Sequence, residues 1–147
     1  MEDLDRHILG LLSHDGRMSF TDLGKATGLS TSAVHQRVRR LEERGVIQGY
    51  RAVINHTAVG MPLLAFISIT PTDPSAPDDV PDRLRGVADL EACHSVAGEE
   101  SYILKARVPS PGDLEDLLAL IRSSANVSTR TTVVLSTPWE ERSHPVE

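Results

Sequence analysis

The chain has 147 residues, with 15 Lys plus Arg against 21 Asp plus Glu, 39% hydrophobic residues and one cysteine; this length accommodates one ordinary domain or two small ones. The lone Cys93 excludes an internal disulfide, and no apolar run approaches the length that spans a bilayer as a helix. A formal net charge of -6 weighs at first sight against nucleic acid, because phosphate contacts need positive potential.

That charge is unevenly distributed. Residues 1–55 carry eight basic against seven acidic side chains, and residues 56–147 carry seven against fourteen. The asymmetry predicts two domains with different partners. The start, Met1 to Asp5, has neither the basic region nor the apolar core of a signal peptide, so a cytoplasmic location without membrane association is expected.

Leu4, Ile8, Leu11 and Leu12 place one apolar stripe on a first helix of three turns. Gly10 costs that helix about 1 kcal/mol relative to Ala, so it must rely on packing, and Asp15-Gly16 closes it as a turn. Ser19 then stands as an N-cap, with Asp22 three residues on, and Leu23 begins a buried face. Gly28 ends this second helix in the left-handed conformation, Leu29 plugs the space behind it, and Ser30 caps a third helix. In the third helix Val34, Val38 and Leu41 recur on one side, leaving Ser32, Gln36, Arg39 and Arg40 on the other.

A charged helix face is ordinarily just solvated. Two caps, a glycine turn and short polar residues at the third helix's start together point instead to a helix-turn-helix offered to a DNA major groove. Ser32, Gln36 and Arg40 are expected at base edges; Thr31, His35, Arg37 and Arg39 are expected at the backbone, with Ser30 at the same helix end. Arg37 also lies beside the apolar stripe, where it could pair with an acid of its own domain. After Gly45 the run from Val46 to Ile54 is β-rich and reads as a wing or connecting strand, followed by a linker to Pro62.

From Leu63 the period changes. Strands are expected over 63–70, 91–97, 102–108 and 127–135, with helices over 80–89 and 114–123. Ser110-Pro111-Gly112-Asp113 combines an N-cap, an early proline and an acidic third position. The order βαββαβ makes an α+β, ferredoxin-like unit: an antiparallel sheet with both helices on one face and the other face in need of a cover. Dimerisation through that sheet is therefore expected. The boundaries read as 1–50 for the winged helix-turn-helix, 51–62 for the connection, 63–137 for the second domain and 138–147 for a tail.

Chemistry finds little support. His7, His14, His35, His56, His94 and His144 lack the spacing of a metal site, and no nucleophile elbow is present. Cys93 is expected to be buried, and Cys93 and His94, adjacent on a strand, point to opposite faces. No catalytic residue, metal or cofactor is expected.

The sequence resembles the Lrp/AsnC, or feast/famine, family of transcription regulators. The resemblance rests on Leu4-Asp5-x-x-Ile8-Leu9-x-x-Leu12, Gly16-Arg17-x-Ser19, Asp22-Leu23, Gly28-Leu29-Ser30 and Val34-x-x-Arg37-Val38-x-Arg40-Leu41-Glu42-x-x-Gly45-Val46-Ile47-x-Gly49-Tyr50, then on Gly60 and Gly98-x-x-x-Tyr102. It implies a winged helix-turn-helix, an ACT-like ligand-sensing domain, a homodimer that assembles further, to an octamer for example, and an amino-acid effector. It also implies an effector site at Ala97, Gly98, Glu99, Glu100, Ser101 and Tyr102, facing Thr131 and Thr132 of a neighbouring subunit. Similar proteins often carry an acid just before the tyrosine, where this chain has Ser101, so Glu99 or Glu100 is expected to take the ligand ammonium. Two rival readings of the same architecture are a sirohaem-decarboxylase-like enzyme and a winged-helix protein-interaction module.

Overall fold

The structure is a computed structural model that describes residues 1–143; His144 and the end of the expected tail lie outside the described residues. The chain divides into two compact units, Met1–Val53 with the segment from Pro138, and Ile54–Thr137.

The first unit is built on three helices, α1 (Asp3–His14), α2 (Phe20–Thr27) and α3 (Thr31–Glu43). One buried side chain from α1, Ile8, one from α2, Leu23, and the α3 stripe of Val34, Val38 and Leu41 make its core. Leu29, from the turn between α2 and α3, packs against them as its position implies. The expected strand after Gly45 is not formed. Instead Gly45 turns in the left-handed region at φ 71°, and the N–H groups of Val46 and Ile47 both donate to the Leu41 carbonyl, at 2.9 and 3.1 Å. Among the described residues the β-prone run that follows has no partner strand, and a lone strand leaves its backbone groups unpaired; Val53 accordingly stands 85% exposed.

The second unit contains β1 (Leu63–Pro71), α4 (Val80–Leu84), β2 (Leu90–Ser95), β3 (Tyr102–Val108), α5 (Pro111–Ala125) and β4 (Val127–Val133). Its four strands pair antiparallel in the order β2-β3-β1-β4, so the α+β prediction holds. Helix α4 is half its expected length. The Val87 N–H folds back onto the Leu84 carbonyl at 3.0 Å, and a second turn from Leu90 to Val87 delivers the chain to β2.

Strand period 2 decides which residues meet the helices. Ala65, Ile67 and Ile69 of β1 align with Ala106, Leu104 and Tyr102 of β3, and α4 and α5 bury them with Val80, Leu84, Leu114, Leu117 and Ile121. The opposite side carries Leu64, Phe66, Ile103, Lys105 and Thr132, with Phe66 38% exposed. Arg107 is buried on this side; its Nε donates to Glu91, the residue at the β2 register shift. Cys93, expected to be buried, is exposed, because β2 is an edge strand with no neighbour on its outer side. Partial burial still raises its thiol pKa, against the opposing pull of Arg85.

A candidate DNA-reading helix and a candidate effector pocket

Local chemistry sets the helix-turn-helix. The Ser19 hydroxyl accepts from the Asp22 N–H at 3.0 Å and the Ser30 hydroxyl from the Ala33 N–H at 3.2 Å, each satisfying a donor that the helix start leaves free. Gly28 caps α2 at φ 77°. The chain turns so tightly here that a Cβ on Gly24 would lie 2.6 Å from the Leu29 carbonyl oxygen. With Val34, Val38 and Leu41 held in the core, helical geometry leaves Thr31, Ser32, His35, Gln36, Arg39 and Arg40 exposed.

These residues are not equivalent. Among the described residues the Arg40 side chain has no hydrogen-bond or ion-pair partner, so its charge is available. Arg39 donates to Glu43 at 3.0 Å, but both side chains are largely exposed, and such a pair contributes little and yields readily. The His35 ring sits 5.3 Å from that of Phe20, which joins α3 to α2, and the Ser32 hydroxyl lies 3.3 Å from that of Ser30. Arg37 departs from its expected backbone role. Its guanidinium donates to Glu2 at 2.8 Å and to Asp5 at 3.0 Å, with its side chain 18% exposed. The bond to Glu2, then that to Asp5, raises its pKa still further. Arg37 therefore fastens α3 to the start of α1.

In the second unit the turn from Ala97 to Tyr102 faces the proline-rich loop after β1 across a pocket of about 520 Å³. The turn is held at its ends: the Val96 N–H donates to Ser101 O, and the Ser101 N–H to Ile69 O, both at 3.1 Å. Among the described residues the N–H groups of Ala97, Gly98, Glu99 and Glu100 have no partner. Gly98 is not in the left-handed region, and a Cβ there would meet nothing within 4 Å, so its contribution is space rather than a special backbone conformation. Tyr102, buried at the end of β3, donates its hydroxyl to Asp78 Oδ1 at 2.7 Å, with Oδ2 at 2.9 Å. That bond, followed by desolvation, raises the Tyr102 pKa.

Glu99 and Glu100 both lean toward Arg130 of β4, at 3.9 and 3.3 Å. Asp73 accepts from the N–H and hydroxyl of Ser75 at 3.0 and 2.7 Å, which lowers its pKa. Thr131 and Thr132 do not line the pocket of their own chain. Thr131 aligns with Ile67 on the helix side and Thr132 with Phe66 on the open side, so one strand cannot aim both at the same ligand.

The sequence matches the family model of the AsnC-type helix-turn-helix domain over residues 1–42 and that of the Lrp/AsnC ligand binding domain over residues 64–144. The chain belongs to the Lrp/AsnC family. It is 54% identical over 144 residues to the HTH-type transcriptional regulator LrpA of Mycobacterium tuberculosis, covering 98% of this chain and 96% of that protein. It is 39% identical over 140 residues to the leucine-responsive regulatory protein of Escherichia coli, covering 92% and 85%. Among solved structures it is similar to the feast or famine regulatory protein from M. tuberculosis complexed with L-methionine, at 54% identity, a TM-score of 0.96 and 98% coverage of each chain.

This Lrp/AsnC chain is thus a transcriptional regulator with a DNA-binding helix-turn-helix and a ligand-binding domain. Its relatives are named as regulators, which points away from an enzyme, and they lend no support to the decarboxylase or protein-interaction readings. Among the described residues no helix is long and apolar enough to cross a membrane. Asp78 and Arg130 escaped the sequence reading because their partners lie 24 and 30 residues away. Gly24 left only a faint signal, a glycine inside an amphipathic helix.

Proposed function

We propose that α3 reads the DNA major groove with Ser32, Gln36 and Arg40, while Thr31, His35 and Arg39 meet the phosphate backbone near the Ser30-capped helix start. The observation carrying this reading is the outward row at i, i+4 and i+8, polar throughout and ending in a guanidinium with no partner among the described residues. An arginine can bond guanine bidentately and a glutamine adenine. Arg37 drops out of the contact set and positions the helix instead. The DNA-binding part is assigned to residues 1–50, the connection to 51–62, the sensing part to 63–137 and a tail to 138–147.

The effector is assigned to the α-amino acids and its site to the pocket at Ala97 to Tyr102, supported by the L-methionine complex of a relative 54% identical to this chain. The chain acts as a homodimer closed through the open sheet face and assembles further, to an octamer for example, with Thr131 or Thr132 of a neighbouring subunit completing the effector site. Only a ligand that binds two assembly or conformational states unequally can move DNA affinity. The site of action is the cytoplasm, and no resident cofactor is needed.

Mobility shifts on the protein's own upstream DNA, with and without a panel of amino acids, test both halves. Gln36→Ala and Arg40→Ala should each weaken specific binding by about 1–3 kcal/mol and relax sequence preference. Unchanged affinity in both variants would overturn the assignment.

A further inference from the structure

A zwitterionic ligand in the pocket needs an acceptor for its ammonium, and that acceptor must be an anion not already neutralised. Four carboxylates line the pocket, and the structure separates them. Glu100 faces the Arg130 guanidinium at 3.3 Å, so an incoming ammonium would meet a cation beside it, and Glu99, 3.9 Å from the same guanidinium, has a side chain 91% exposed and turned to solvent. Asp73 is engaged by the Ser75 N–H and hydroxyl within its own loop. Asp78 differs: its partner is the neutral Tyr102 hydroxyl, which lies 2.7 and 2.9 Å from its two oxygens. A phenol orients a carboxylate without cancelling its charge, and an ionised carboxylate accepts several hydrogen bonds at once. Tyr102 is itself buried at the end of β3, so the Asp78 carboxylate, though Asp78 is exposed like its loop neighbours, is held against a rigid element.

Resting on the reading of this pocket as an amino-acid site, we infer that Asp78, oriented by Tyr102, is the specificity residue that receives the ligand ammonium. The four N–H groups of Ala97 to Glu100 that lack partners form the complementary end, where a carboxylate is stabilised by several backbone donors together. Charge complementarity therefore runs across the pocket, from loop to turn. A carboxylic acid without an amine would satisfy only the turn, and an amine without a carboxylate only the loop.

The test is calorimetry on the full-length protein with L-methionine and L-leucine, each beside its desamino analogue, 4-(methylthio)butanoate or 4-methylpentanoate. The wild type should prefer an amino acid over its analogue by at least ~10-fold, the discrimination expected of one charge-assisted contact. Asp78→Asn should cut that preference to within about threefold by weakening the amino acid while leaving the analogue unchanged. Glu99→Gln and Glu100→Gln should retain it. Tyr102→Phe, which leaves the carboxylate but removes its orienting hydroxyl, should fall between and serves as the second variant. Circular dichroism verifies folding of each. An undiminished preference in Asp78→Asn overturns the role of Asp78 while leaving the pocket assignment standing. Failure of the wild type to bind either amino acid overturns both.

Discussion

At the scale of single residues, Arg37 and Arg40 share a helix and a chemistry, and the place of Arg37 beside the apolar stripe is the sequence signal that separates their employment. The Arg40 side chain faces outward without a partner among the described residues, whereas Arg37 ties α3 to Glu2 and Asp5 of the α1 end. Arg37→Met should lower Tm by a few degrees, because two acids lose their cation, while the ratio of specific to unrelated DNA affinity stays within about twofold. Thermal unfolding and mobility shifts on the same samples separate the two effects. Tyr102 gives a pH-dependent signature. Its pKa is raised chiefly by the bond to Asp78, so the folded state holds the proton more tightly than the unfolded chain. The resulting stabilisation is complete below the unfolded tyrosine value of about 10 and disappears as pH rises through the higher folded value. Burial and then Glu42 raise Tyr50 as well, so ultraviolet titration should show both tyrosines ionising late, and Asp78→Asn should bring Tyr102 alone back toward the ordinary range.

At the scale of elements, what was legible depended on how far away each element's cause lay. The caps at Ser19, Ser30 and Ser110 and the left-handed Gly28 are settled within four residues, and all four are found. Strand β3 keeps its predicted bounds because Gly98 to Ser101 and Pro109 punctuate both ends. The β-prone run from Val46 to Ile54 misled because a strand is a property of a pair, and no strand among the described residues pairs with it. Cys93 misled because alternation gives a face but not whether the strand is central or at an edge. Three glycines turn this distinction into one experiment by thermal denaturation. Gly24→Ala pushes a Cβ against backbone at 2.6 Å, an overpacking that should cost about 1–3 kcal/mol. Gly28→Ala meets open space but a φ of 77°, and should cost about 1–2 kcal/mol through conformation alone. Gly10→Ala, in a helix with nothing within 4 Å, should stabilise by about 0.5–1 kcal/mol.

At the scale of the molecule, the proposed dimer answers how little one recognition helix can read. A helix makes a few base contacts in one half-site, and a two-fold dimer doubles them on a near-palindrome with half-sites about one helical turn apart or a multiple of it. The net charge sharpens the need, since residues 56–147 hold fourteen acids against seven bases and the positive excess lies in residues 17–51, with seven bases against three acids. The sheet side away from α4 and α5 supplies a surface for pairing: Leu64, Phe66 and Ile103 are apolar there, and Phe66 is 38% exposed at a central strand where a monomer would place a polar residue. Phe66→Asp should separate the subunits while leaving each folded, because the side chain lies outside the buried core of the unit. Leu120→Asp, on the exposed side of α5, is the control and should leave assembly unchanged. Sedimentation velocity of the full-length chain should find the wild type and Leu120→Asp dimeric or larger and Phe66→Asp smaller. The same Phe66→Asp protein should bind a two-half-site DNA little better than a single half-site, because the second contact is no longer tethered to the first. If Phe66→Asp sediments with the wild type, the subunits meet through another face.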